Sequence, residues 1–80
     1  MYVHIGKDII LNNKDIIGIF DIDTLKKSNS YDYILNNLLD SIVDISNGKP
    51  KSLILVDNKK NIGYISNILS STIGKRINKK

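Results

Sequence analysis

The sequence predicts a small α+β domain: about five short β-strands, one central amphipathic helix and a short C-terminal helix. Three observations carry this expectation. Short runs of β-branched and aromatic residues, closed by Gly or Asn, fill the first 22 positions. A broad apolar stripe at helical spacing covers residues 31 to 45. Two later apolar runs, "SLILV" and "IGYI", flank a polar loop of hairpin length. With 80 residues, no repeat and no linker, residues 1–80 read as one domain ending in a basic tail at 74–80.

Taken in order, "YVHI" is a strand bounded by Gly6, and the Gly6-Lys7-Asp8 corner leads into a second strand, "IILN". Asn12-Asn13 offers a tight turn, because Asn tolerates left-handed backbone. "DIIGIFDI" is a third strand, whose crowded isoleucines predict burial on both faces or an interface. Gly18 marks a bulge or a close backbone approach there. "TLKKSNS" reads as a polar connector. "SYDYILNNLLDSIVDIS" reads as the central helix, started at Asn29 or Ser30 and stopped by Gly48, although Asp40 and Asp44 oppose the negative end of its dipole. "SLILV" and "IGYI" follow as strands joined by "DNKKN". Ser70-Ser71-Thr72 caps a last short helix, whose basic end (Lys75, Arg76, Lys79, Lys80) suits a helix C-terminus.

A chain this short buries only about 60% of its unfolded surface, so its core is marginal. There is no cysteine to staple it and no cysteine–histidine cluster for zinc. Self-association is the remaining source of stability, which predicts an oligomer. No stretch approaches the ~20 apolar residues of a membrane helix, and "MYVHIGKD" lacks the plan of a signal peptide. The expectation is a cytoplasmic protein without membrane contact.

Composition weakens one argument and leaves another intact. Sixteen Ile, ten Asn and eleven Lys, with no Ala, Glu or Gln, point to AT-rich codons, so the net charge of +4 says little by itself. Its distribution says more. Residues 1–48 hold four Lys and seven Asp, for −3, and residues 49–80 hold seven Lys, one Arg and one Asp, for +7. Codon bias does not sort charge by sequence half, and a polyanionic partner explains the asymmetry.

Catalytic readings fail by absence. His4 is the sole histidine, and no cysteine exists for it to activate. Asp21 and Asp23 lack a third ligand for a metal and are read as closing the third strand. The five glycines match no phosphate-loop spacing. No catalytic residue, metal, cofactor or small-molecule substrate is assigned.

The basic residues carry what signal remains. Pro50 stiffens the loop that holds Lys49 and Lys51, so their charges can be presented at low entropic cost. The same residues also fit an ordinary solvated turn at a strand start. Lys59 and Lys60 read as hairpin-tip solvation, and Tyr31 and Tyr33 as packing residues of the helix stripe.

Three blocks together resemble a family: "MYVHIGKDIILNNKDIIGIFD", "NGKPKS" and "SSTIGKR". They are similar to the small bacterial extracellular-matrix regulators of the RemA/RemB type, and closer to the RemB branch. Residues 22 to 46 match only in length and helical character. The resemblance implies a LytTR-related fold, a ring-like homo-oligomer, and binding of double-stranded DNA to regulate biofilm-matrix genes. It carries the family's basic positions onto Lys14 and Lys49. The arginine that follows the second position in the family is Pro50 here, with Lys51 supplying nearby charge. Lysine is a point charge where arginine is a planar fork, so the replacement favours backbone contact over base reading. The expected DNA-binding residues are therefore Lys14, Lys49, Lys51, Lys75 and Arg76. The alternative expectation is an oligomeric protein-interaction module without nucleic-acid binding.

Overall fold

The computed structural model describes residues 1–78. In chain order, β1 (Tyr2–Gly6) and β2 (Ile9–Asn12) form an antiparallel hairpin, and a 3-10 turn (Asn13–Asp15) leads to β3 (Ile16–Asp21). Two short helices follow, α1 (Ile22–Lys27) and α2 (Tyr31–Asn37), and then β4 (Ser41–Ile45), β5 (Ser52–Asn58), β6 (Lys60–Ser66) and α3 (Ser70–Asn78). The α+β class holds, with six strands and three α-helices among the described residues in place of about five strands and two helices.

The main sheet has the order β3-β5-β6-β4. β5 runs antiparallel to both β3 and β6, and β4 runs parallel to β6. One face carries Ile45, Ile54 and Val56 and packs against Val3 and Ile5 of the hairpin and Ile73 of α3. The other carries Leu53 and Ile65 and packs against Ile22 and Leu25 of α1, with Ile34 and Leu35 of α2 at its margin. β5, buried at Ser52 to Ile54 and at Val56, is the central strand that the "SLILV" run predicts. The ladder shifts register between Ile16 and Gly18, so the bulge expected in β3 is present.

The principal correction concerns residues 30–46, which are helical only to Asn37. The run "SIVDI" is β-branched at three of five positions and becomes an edge strand. Asp40 docks its start: its N–H donates to Asn61 O at 2.7 Å, and its carboxylate accepts from Asn61 N at 2.8 Å. Asp40, adverse at the end of a long helix, is thus used to begin a strand. Gly48 (φ 80) serves the turn after β4 rather than a helix end.

The "polar connector" is also corrected, because its first half is α1. Asp21 closes β3 and caps this helix, accepting from Thr24 N at 3.0 Å and Thr24 Oγ1 at 2.9 Å. Two apolar residues three apart, Ile22 and Leu25, are all that α1 buries. The Asn12-Asn13 turn differs as well: Asn12 keeps φ at −76, and its side chain accepts from Lys14 N at 3.0 Å to start the 3-10 turn.

Candidate nucleic-acid interface

The sheet sorts the predicted basic residues to two ends. Through the ladders, Ile16, Val56, Ile62 and Ser41 lie level at one end, and Asp21, Ser52, Ser66 and Ile45 at the other. Lys14 belongs to the first end, with the hairpin lysines Lys59 and Lys60. Lys49 and Lys51 belong to the second. Ser52 to Val56 is four residues of strand, so the ends are about 14 Å apart. One subunit does not bring Lys14 and Lys49 to a single phosphate.

The end carrying Lys49 and Lys51 is firmly held. Lys51 N donates to Ser66 O at 2.8 Å, and Lys51 O accepts from Ile22 N at 3.1 Å. Lys49 N donates to Ser46 O at 3.1 Å, which closes the turn through Asn47 (φ 53) and Gly48 (φ 80). The loop backbone is therefore fixed at two points around Pro50, while the side chains of Lys49 and Lys51 are exposed.

Three buried serines tie the same end together. The Ser66 hydroxyl donates to Ile5 O and accepts from Ile68 N at 3.0 Å, joining β1 and the lead into α3 to the end of β6. The Ser52 hydroxyl donates to Ile68 O at 2.8 Å. The Ser46 hydroxyl and N–H both donate to Asp44 Oδ1, at 2.6 Å and 2.9 Å. Among the described residues, no buried side-chain polar atom lacks a partner.

A cleft of about 590 Å³ opens beside this loop, lined by Lys7, Asp44, Ile45, Asn47, Gly48 and Asn67. Lys7 was missed as a candidate. It occupies the β1–β2 corner at φ 50, next to Gly6 at φ 128, and the His4 ring Nε2 lies 2.7 Å from its carbonyl. Its cation is partly countered by Asp44. The Ser46 hydroxyl and N–H hold the Asp44 carboxyl below the ordinary carboxylate range, with the Lys7 ammonium adding to the effect. Lys49 and Lys51 do not line this cleft and are exposed beside it.

The remaining predicted residues divide. Lys14 is exposed on the 3-10 turn. Lys75 and Arg76 lie in the last turn of α3, on the hairpin side, and both are exposed. Arg76 Nη1 donates to His4 O at 2.8 Å, so its guanidinium also fastens α3 to β1. Lys79 and Lys80 of the basic tail lie outside the described residues. Tyr31 is half-buried under the Lys26 ammonium, 5.4 Å from the ring centroid, as a packing residue should be, whereas Tyr33 is exposed. Among the described residues, no three histidine or acidic side chains gather as a metal site, and no helix is long and apolar enough to cross a membrane.

Residues 2–77 match the model of the RemA-like family, described as extracellular matrix regulatory protein A-like. The chain belongs to that family. It is also 37% identical over 76 residues to extracellular matrix regulatory protein B of Bacillus subtilis (strain 168), an alignment covering 95% of this chain and 89% of that protein. Membership extends across residues 22–46, where the sequence motifs alone were weakest.

Proposed function

We propose that the chain is an oligomeric DNA-binding transcriptional regulator of the biofilm and extracellular-matrix type. It holds the phosphate backbone of double-stranded DNA with lysines repeated around a ring, and acts in the cytoplasm. The observation that carries this reading is the pinned loop of Gly48 to Lys51. Backbone bonds from Lys49 and on both sides of Lys51 fix it, and two ammonium groups face solvent. Membership of a family described as extracellular matrix regulatory supports the regulatory half of the reading. A LytTR-like kinship of the fold belongs to the same proposal.

The two-ended placement of charge sharpens the mechanism. Lys14 and the Lys49–Lys51 pair lie beyond strand ends that are themselves about 14 Å apart, so they fit separate phosphates. With Pro50 in place of a second guanidinium, such contacts position DNA and do not read bases. Sequence preference then comes from how easily the duplex bends. The chain is assigned no catalytic, metal or cofactor chemistry.

Fluorescence anisotropy with a long AT-rich duplex tests this. The wild-type protein should bind at low salt and weaken steeply as salt rises. A Lys49→Glu/Lys51→Glu variant of unchanged oligomeric mass should lose at least tenfold in affinity. Equal binding by that variant would remove the loop from the interface.

A second reading, a protein-interaction module, is favoured by the outer face of the β1–β2 hairpin, where Tyr2 and Ile10 are exposed. It predicts no duplex binding even at low salt.

A further inference from the structure

The cationic loop is entered through the chain's single Asn-Gly pair, Asn47-Gly48. Asn47 has φ 53 and Gly48 φ 80, and Lys49 N closes the turn on Ser46 O at 3.1 Å. Positive φ at both central residues is what a type I′ turn requires, and Asn-Gly supplies it. Both residues are exposed, and nothing lies within 4 Å of the point where a Gly48 side chain would start. Among the described residues, neither the Asn47 side-chain amide nor the Gly48 N–H has a hydrogen-bond partner.

That combination is reactive. Glycine has no Cβ to shield its nitrogen. The Gly48 nitrogen, once it gives its proton to solvent, attacks Cγ of Asn47 and closes a five-membered succinimide. The N–Cγ bond forms, the Cγ–Nδ2 bond breaks, and the side-chain nitrogen leaves as ammonia. Water then opens the ring at either carbonyl. One product has aspartate in place of Asn47, and the other has isoaspartate, with the backbone running through the former side chain. The net change is amide plus water to carboxylate plus ammonium, so no oxidant or cofactor enters.

The fold occupies the corresponding nitrogen after most other asparagines. After Asn12, Asn13 N donates to Met1 O, and after Asn13, Lys14 N donates to the Asn12 side chain. After Asn29, Asn37 and Asn67, the next N–H donates to Leu25 O, Ile34 O and Ser66 Oγ respectively. Asn36 lies inside α2 and Asn61 inside β6. Asn58 is followed by Lys59, whose side chain crowds its own nitrogen.

We propose that Asn47 is a site of spontaneous deamidation, and that its conversion weakens the hold of the Lys49–Lys51 loop on phosphate. The second half rests on the DNA reading above. Asn47 lines the cleft with Lys7 and Asp44, so the product places a further carboxylate there, two residues before Lys49. An added negative charge at this range costs about twofold in affinity for each loop that holds a phosphate. Isoaspartate also lengthens the backbone and removes the Lys49–Ser46 closure that orients the loop. Because the closed turn must open before the ring forms, the change is a slow, one-way ageing of the interface.

The test follows wild-type protein at mildly alkaline pH by tandem mass spectrometry of its tryptic peptides. Asn47 should convert ahead of Asn29, Asn36 and Asn37, which share the peptide of residues 28–51 because trypsin passes over Lys49 before Pro50. Asn47→Asp should bind duplex at least about twofold more weakly than fresh wild type. Asn47→Gly suits the same positive φ but cannot cyclise, so it should hold its starting affinity through an incubation in which wild type loses affinity. An Asn47 that stays intact in the folded protein while the same residue converts in urea would show that the turn protects it, and would overturn the site. Converted protein that binds duplex as tightly as fresh protein would overturn the consequence. Fresh protein that binds no duplex refutes the DNA reading and the consequence together, while the peptide masses still decide the site.

Discussion

Ser66→Ala is a direct probe of how the cationic end of the sheet is built. Ser66 is fully buried, and its one hydroxyl serves two backbone groups: it donates to Ile5 O and accepts from Ile68 N. Alanine fits the space but removes both partners, leaving a carbonyl and an N–H in a site closed to water. An orphaned buried group costs about 1–3 kcal/mol. Partial relaxation of the Ile68 segment toward solvent argues for the low end at that group, so the expected loss is about 2–4 kcal/mol. For a domain of this size total stability is about 4–12 kcal/mol, and each kcal/mol moves Tm by about 4–8 °C. The assay is urea unfolding followed by circular dichroism, at matched protein concentration because assembly adds to apparent stability. Ser28→Ala, which removes an exposed hydroxyl that donates to Leu25 O, is the control and should cost less than about 1 kcal/mol. A Ser66→Ala midpoint indistinguishable from wild type would refute the claim that this hydroxyl ties β1 and the α3 lead to β6.

Three further outcomes follow from the same geometry. Gly6→Ala should destabilise by about 1–3 kcal/mol in urea, because φ 128 is closed to a side chain and the new Cβ would sit 3.1 Å from Ser66 Oγ. Asp44 is held below its ordinary pKa, so its contribution is present above the unfolded carboxylate value near 3.9 and fades as pH falls through the lower folded value. Unfolding measured from pH 6 to pH 2 should therefore show less acid-side loss in Asp44→Asn than in wild type. Lys14→Gln, combined with Lys49→Gln/Lys51→Gln, should reduce DNA affinity additively in log K, since the two ends are too far apart to share a phosphate. Marked non-additivity in anisotropy titrations would place them on one contact.

Much of the fold was legible because the deciding signals were local. β5 announced itself by an apolar run behind Pro50, and the bulge by a glycine inside a β-branched strand. The region from Asp21 to Ser46 was not legible in the same way. The apolar stripe from Tyr31 to Ile45 satisfies a helical period throughout. Its conversion to strand at Ser41 is decided by pairing with β6 and by Asp40 meeting Asn61, 21 residues away. α1 buries only Ile22 and Leu25, too few to register as a stripe, although Asp21 with Thr24 carried a capping signal.

The candidate site divides along the same line. That Lys49 and Lys51 project from a stiff loop was readable from Pro50. That Lys14 lies at the far end of the sheet was not, because strand order depends on long-range pairs. Lys7 is brought beside Asn47 and Asn67 by tertiary packing, and nothing but its place after Gly6 marked it in the sequence. The serines that anchor the loop act on partners 16 and 61 residues away, which no local pattern reveals.

The central claim is that an assembly of these chains grips duplex DNA by its phosphates. Its most direct test is the dependence of duplex affinity on salt, with oligomeric mass monitored in parallel. The account predicts a straight plot of log K against log salt concentration, with a slope of about −0.9 for each phosphate neutralised. About eight subunits holding one phosphate each would give roughly −7. Lys49→Glu/Lys51→Glu should flatten that slope without changing the mass. A wild-type protein that binds no duplex at low salt, or whose affinity is indifferent to salt, would contradict it.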